Sequence, residues 1–258
     1  MLDIQKLCGG YADGEVLHGV DLHIPAGKVT VITGPNGCGK STLLKTLVGI
    51  NPKTSGQILV DGRSSDSYSS QELARKIAYL AQNRQVPDIT ALKMVLHGRF
   101  PYLSYPRRYR PEDWAIARKA METMGIEDLA ERSMNSLSGG TRQKVYIAMA
   151  LVQDTPMILM DEPTTFLDVA HQLQMMEQAR FLADSGKAVV MVLHDLGLAL
   201  RTADVLAVID QGKIAVCGEP QEVYESGCLQ QVFGIELRRY ETEDGWQYYC
   251  RPLGGGIR

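Results

Sequence analysis

The chain is predicted to fold as an α/β protein with a mostly parallel sheet at its core, an N-terminal antiparallel β patch and an inserted helical subdomain. Three patterns predict this. Strand-sized apolar runs recur at 28–33, 77–81, 157–160, 188–193 and 205–209, with helical stretches between the later ones. Ahead of residue 76, strand patterns at 16–24 and 57–60 are punctuated by turns at Pro25-Ala26-Gly27 and Asp61-Gly62. Between Gln82 and Leu137 the period becomes helical: Trp114, Ala117, Met121 and Met124 fall three and four apart between Pro111 and Gly125.

The chemistry begins after the strand at 28–33. Gly34-Pro35-Asn36-Gly37-Cys38-Gly39-Lys40-Ser41-Thr42 fits G-x-x-x-x-G-K-[ST] without a mismatch, and 42–48 continues as a helix, the context a phosphate-binding loop requires. Glycines let backbone N–H groups turn inward, and a helix starting near Lys40 adds the positive end of its dipole. All nine residues are therefore assigned to nucleoside triphosphate binding. Lys40 is expected at the β and γ phosphates and the Ser41 hydroxyl on Mg²⁺.

Two further segments join it. Met157-Ile158-Leu159-Met160-Asp161-Glu162 is an apolar strand ending in two carboxylates, which places Asp161 in the Mg²⁺ shell and Glu162 beside an attacking water. Leu137-Ser138-Gly139-Gly140, followed by Thr141-Arg142-Gln143 and a helical run, offers a hydroxyl and exposed N–H groups at a helix start, a second anion site.

These three segments together resemble the Walker A, Walker B and signature motifs of ATP-binding cassette (ABC) proteins, over about residues 2–223. The resemblance implies the P-loop ABC ATPase fold, with ATP and Mg²⁺ as ligands and hydrolysis of ATP to ADP and phosphate. It implies that Tyr11 stacks on adenine, that Gln82 is the Q-loop glutamine near Mg²⁺, that Phe166-Leu167-Asp168 is the D-loop, and that His194 is the switch histidine at the γ phosphate. The catalytic group is then Glu162, His194, Lys40 and Gln82, and the metal group Ser41, Gln82 and Asp161. Ser138, Gly139, Gly140 and Asp168 complete nucleotide binding, with Ser138 and Gly140 acting across an ATP-dependent homodimer. Thr141 departs from the pattern, which usually continues with Gln; its hydroxyl replaces an amide and puts any contact to the ribose in doubt.

The same resemblance implies one cassette domain over 1–253: a core at about 1–85 and 155–218, a helical subdomain at about 86–154, a C-terminal segment at 219–253 and a flexible tail at 254–258. About fifty residues separate Gln82 from Leu137, unlike the long coiled-coil insertions of chromosome-structuring relatives. One cassette without a fused membrane segment is typical of importers, whose partners are two integral-membrane permease subunits and, indirectly, a substrate-binding protein. Gly98-Arg99-Phe100-Pro101-Tyr102-Leu103, Leu167-Asp168-Val169-Ala170-His171-Gln172 and Cys38 resemble cassettes of iron-siderophore importers, with haem, cobalamin or another metal chelate as the alternative cargo. A nucleotide-gated regulatory protein without turnover is the alternative of another class; the presence of both Glu162 and His194 argues against it.

Composition sets limits. Lys and Arg number 27 against 30 Asp and Glu, a net charge of −3, so no global basic field favours nucleic acid. Apolar runs fall short of the ~20 residues of a spanning helix, and a basic-then-apolar leader is missing, so a soluble subunit is expected on the cytoplasmic side of the inner membrane, held there by its permease. Five cysteines without C-x-x-C spacing predict reduced thiols. Two finer expectations complete the reading. Cys38, among inward N–H groups near Lys40, is expected to have a lowered pKa. Arg99 to Tyr102, beside Gln82, are expected to border the permease dock, where a charge reversal at Arg99, outside the nucleotide site, is expected to weaken permease binding and leave nucleotide affinity unchanged; cargo itself is not expected to touch this chain.

Overall fold

The computed structural model describes residues 1–11, 13–82, 86–165, 167–243 and 245–253. Phe166 of the expected D-loop and the expected flexible tail 254–258 lie outside the described residues. The chain opens with strands β1 (Leu2–Tyr11), β2 (Gly14–Ile24) and β3 (Val29–Thr33) and helix α1 (Lys40–Leu47), then β4 (Lys53–Val60), β5 (Arg63–Ser64), α2 (Ser70–Ala74) and β6 (Ile77–Leu80). A helical stretch follows: α3 (Ala91–Leu96), a 3₁₀ turn at His97–Tyr102, α4 (Pro111–Thr123) and α5 (Gly139–Val152). Then come β7 (Met157–Met160), α6 (Val169–Asp184), β8 (Ala188–Val192), α7 (Leu196–Thr202), β9 (Val205–Asp210) and β10 (Lys213–Gly218). The chain closes with α8 (Pro220–Glu225), α9 (Cys228–Phe233) and a hairpin of β11 (Ile235–Thr242) and β12 (Gly245–Pro252).

The larger sheet has six strands in the order β10-β9-β3-β8-β7-β6. All its neighbours are parallel except β10, which folds back on β9. Every residue of β3, β7 and β8 is buried, because alternate side chains enter two different cores. Ile32, Leu159, Val190 and Val192 pack with Leu43, Leu44 and Leu47 of α1 and with the antiparallel sheet β2-β1-β4-β5. Val31, Ile158, Met160, Val189 and Met191 pack on the opposite face with α5, α6 and α7. Strands covered on both sides read as continuous apolar runs, which explains the pattern at 28–33, 157–160 and 188–193.

The helical stretch joins the second core. In α4, Ala117, Met121 and Met124 at the helix end are buried and Trp114 half-buried, as their spacing predicts. Arg99 is committed within the fold: its side chain is 14% exposed, pairs with Asp113 at 3.0 Å, donates to the Val152 carbonyl at 3.0 Å and lies 4.0 Å above the Tyr102 ring. It braces the 3₁₀ turn against α4 and α5. The exposed side chains here are Phe100 and Tyr105, at 45% and 96%, and with Gln71, Leu103 and Arg107 they border a groove of ≈ 800 Å³.

A second brace ties the sheet to its helices. Asp204 accepts the backbone N–H of Val29 at 2.8 Å and the Arg180 guanidinium at 2.8 Å. Burial pushes its carboxyl up, but these bonds and the Lys28 ammonium outweigh it and hold the group below the ordinary carboxylate range.

Candidate functional site

Parallel pairing in register brings four strand ends to one edge. Ile32 pairs with Val192, Met160 with Met191, and Leu80 with Met160, so the segments just beyond emerge side by side: Gly34, His194, Asp161 with Glu162, and Gln82. An edge where parallel strands end is where α/β sheets bind ligands. The sequence expectations for these four segments thus meet in space.

The loop between β3 and α1 is packed tightly. A Cβ on Gly34 would stand 2.1 Å from the Ile209 carbonyl oxygen, so only glycine lets the loop lie on β9. Gly39 caps α1 without a side chain, leaving the first-turn N–H groups for an anion. Lys40 is buried and its ammonium donates to the carbonyls of Gly34 and Pro35, both at 2.8 Å. Cys38 departs from expectation. Burial pushes its thiol up, and the Lys40 charge and hydrogen bonds only partly oppose that, so the thiol is less acidic than usual rather than more.

Asp161 is the buried acid of the site. Its Oδ1 accepts the Ser41 hydroxyl at 3.0 Å and its Oδ2 the Tyr79 hydroxyl at 3.2 Å. Burial pushes its carboxyl above the ordinary value, against the pull of the Ser41 and Tyr79 hydroxyls and with the neighbouring Glu162 adding to the rise. Such a carboxylate gains from a cation. Ser41, Asp161 and Gln82 supply hard oxygen donors, and one carboxylate completed by phosphate oxygens and water is the usual donor set for Mg²⁺.

Glu162 is held from three sides. His194 Nε2 lies 2.5 Å from Oε1, while Oε2 accepts from the Gln82 amide and from the Thr165 hydroxyl at 3.1 Å. Its backbone has φ 50°, a left-handed conformation that costs a glutamate about 1 kcal/mol or more. A cleft bordered by Tyr11, Asn36, Lys40, Ser41, Thr42 and Glu162 joins these groups. Tyr11, about half exposed at the end of β1, receives a 3.4 Å hydrogen bond from Thr42. That bond, with Asn51 and the Lys45 charge, lowers its phenol pKa.

The segment Ser138, Gly139 and Gly140 does not border this cleft. Ser138 caps α5 by accepting the Thr141 N–H at 3.3 Å. Asp168 caps α6 through the His171 N–H at 2.9 Å, and its Oδ1 lies 2.7 Å from His171 Nδ1. The two helix starts touch: a Cβ on Gly140 would fall 2.3 Å from the His171 ring. The sequence reading did not name Tyr79, Thr165 or His171 as site residues. Tyr79 sits three residues before Gln82 and Thr165 three after Glu162, spacings that only strand pairing and the turn after β7 make meaningful.

Fold and site define a P-loop nucleotide-binding protein of the ABC ATPase fold. An ABC transporter family model matches residues 17–165. The ferric enterobactin transport ATP-binding protein FepC of Escherichia coli is 41% identical over 97% of this chain and 93% of its own. The petrobactin import ATP-binding protein FpuD of Bacillus anthracis is 38% identical over 100% of this chain and 95% of its own. A metal-chelate type ABC transporter solved in an inward-facing conformation superposes with a TM-score of 0.84 at 27% identity, covering 98% of this chain and 97% of that one. The chain belongs to the ABC transporter family.

Proposed function

We propose that this chain is the ATP-binding and ATP-hydrolysing subunit of a bacterial importer, energising uptake of an iron-siderophore complex through a separate permease. The observation that carries the reading is Glu162, held by His194, Gln82 and Thr165 at the rim of the cleft that Lys40 and Ser41 border. In this reading Tyr11 stacks on the base, the N–H groups of residues 34–42 and the Lys40 ammonium take the phosphates, and Glu162 accepts a proton from water while His194 steadies the γ phosphate. Mg²⁺ held by Ser41, Asp161 and Gln82 would neutralise phosphate charge. Ser138 and Gly140 act on the nucleotide of a second copy, with Gly139 and Asp168 completing nucleotide binding, so hydrolysis requires the homodimer. Positioning and charge stabilisation supply the rate.

The cargo assignment is supported by the names of the relatives, ferric enterobactin and petrobactin carriers, and by the metal-chelate transporter. Among the described residues no helix is long and apolar enough to cross a membrane; in this reading two permease subunits hold the chain at the membrane's cytoplasmic face. The groove beside Phe100 and Tyr105 is the proposed dock, at the junction of a core (about 1–85 and 155–218) and a helical subdomain (about 86–154). Glu162→Gln tests the chemistry. Phosphate release should fall about a hundredfold or more while ATP binding persists and the ATP-bound dimer accumulates; turnover within a factor of two of wild type would refute the assignment. Co-purification with the permease and binding protein, followed by identification of the bound chelate, tests the cargo.

A further inference from the structure

The residue that departs from the signature pattern lies on the hydroxyl that the pattern uses. Thr141 occupies the third position of α5, where a capping box places Glu or Gln to bond the cap's backbone N–H. Here its hydroxyl oxygen lies 2.9 Å from the Ser138 hydroxyl oxygen, which also accepts the Thr141 N–H at 3.3 Å. A serine oxygen has two lone pairs and one proton. The N–H takes one lone pair. If the Thr141 hydroxyl donates to the other, the Ser138 proton has only one direction left, outward from the helix end and into solvent. If the direction reverses, Ser138 spends its proton on Thr141 and turns a lone pair outward, which repels an anion. Ser138 and Gly139 are exposed at this end, so what arrives there meets the hydroxyl directly.

We propose that Thr141 is a positioning residue whose hydroxyl makes Ser138 a dedicated hydrogen-bond donor toward the phosphate held by the opposing copy. This rests on the reading of Ser138 as a group acting across the dimer. The anion selects the proton order, and Thr141 thereby takes over a role that involves no contact of its own with the ribose.

The test is a double-mutant cycle in the full chain, reading steady-state phosphate release with MgATP. Thr141→Val keeps the shape and the backbone cap but removes the hydroxyl; kcat should fall about tenfold, the value of one hydrogen bond to a charged group, with KM changed less than about twofold. Thr141→Ser should restore kcat to near wild type. In a Ser138→Ala background Thr141→Val should cost nothing further, and its melting temperature should match that of its parent. Equal kcat for Thr141→Val and wild type, failure of the serine to rescue, or an undiminished loss in the Ser138→Ala background would overturn the inference. An inactive wild type would overturn the proposed ATPase reading instead, and this inference with it.

Discussion

The two ends proposed to bind anions are built differently. The end at the strand edge is cross-braced: Lys40 is tied to the loop carbonyls, Ser41 and Tyr79 to Asp161, and Gln82, Thr165 and His194 to Glu162. The end at α5 is held by Arg142 on the Met134 and Leu137 carbonyls and by Gly140 against His171 of α6, but its Ser138 hydroxyl is paired only with Thr141 among the described hydrogen bonds. Its hydroxyl faces solvent. In the proposed function, the group that must be rigid before the substrate arrives is held by neighbours in the same chain, whereas the group that closes over another chain's substrate is left at the surface. The contrast argues for two half-sites completed by a second copy.

Complementation would break that comparison most sharply. Lys40→Ala removes the charge that the loop is built around, and Ser138→Arg fills the surface half; each alone should lose about a hundredfold or more in turnover. Mixed together they form heterodimers in which one composite site, the Lys40 of one chain facing the Ser138 of the other, is intact. Turnover should therefore return on mixing. If mixing restores nothing while both variants fold and dimerise with wild type, the two ends do not share a nucleotide.

A smaller effect separates brace from dock. Arg99→Glu places two acids together at 14% and 10% exposure and should cost about 3 kcal/mol of stability, measured by denaturant unfolding. Phe100→Ala, at an exposed edge of the groove, should leave stability nearly unchanged yet weaken co-purification with the permease. Equal stability losses for the two would remove the distinction drawn between them.

The sequence made the strand-edge residues legible because each motif ends an apolar run, and runs buried on both faces are easy to recognise. The pairing of Arg99 was not legible, because its partner Asp113 lies across a loop that no periodicity describes. Cys38 was misread because helix dipole and burial act in opposite directions, and only packing decides between them. The hairpin of β11 and β12 was not foreseen: Glu236, Arg238, Arg239 and Glu241 interrupt any apolar pattern. Arg239 packs there by its guanidinium, lying 4.6 Å over Tyr224 and 4.3 Å over Trp246.

The smallest predicted effect concerns how the braced end stores its tension. Asp161 is 2% exposed, and burial raises its carboxyl pKa. A carboxyl whose folded pKa exceeds its unfolded one binds protons more tightly when folded, so stability falls as pH rises from the ordinary carboxylate value through the raised one. The cost grows as the carboxyl ionises. Asp161→Asn removes the charge but keeps an acceptor for the Ser41 hydroxyl, and the Tyr79 hydroxyl has lone pairs to receive the new amide. The nucleotide-free protein should therefore melt a few degrees higher than wild type at neutral pH, and the gain should shrink as pH is lowered through the raised pKa. Turnover should collapse in the same variant, because the carboxylate assigned to Mg²⁺ is gone. A melting temperature at neutral pH equal to or below wild type would show that Asp161 is not under electrostatic tension, and the strand-edge site would then be stabilised, not strained, by the acid it buries.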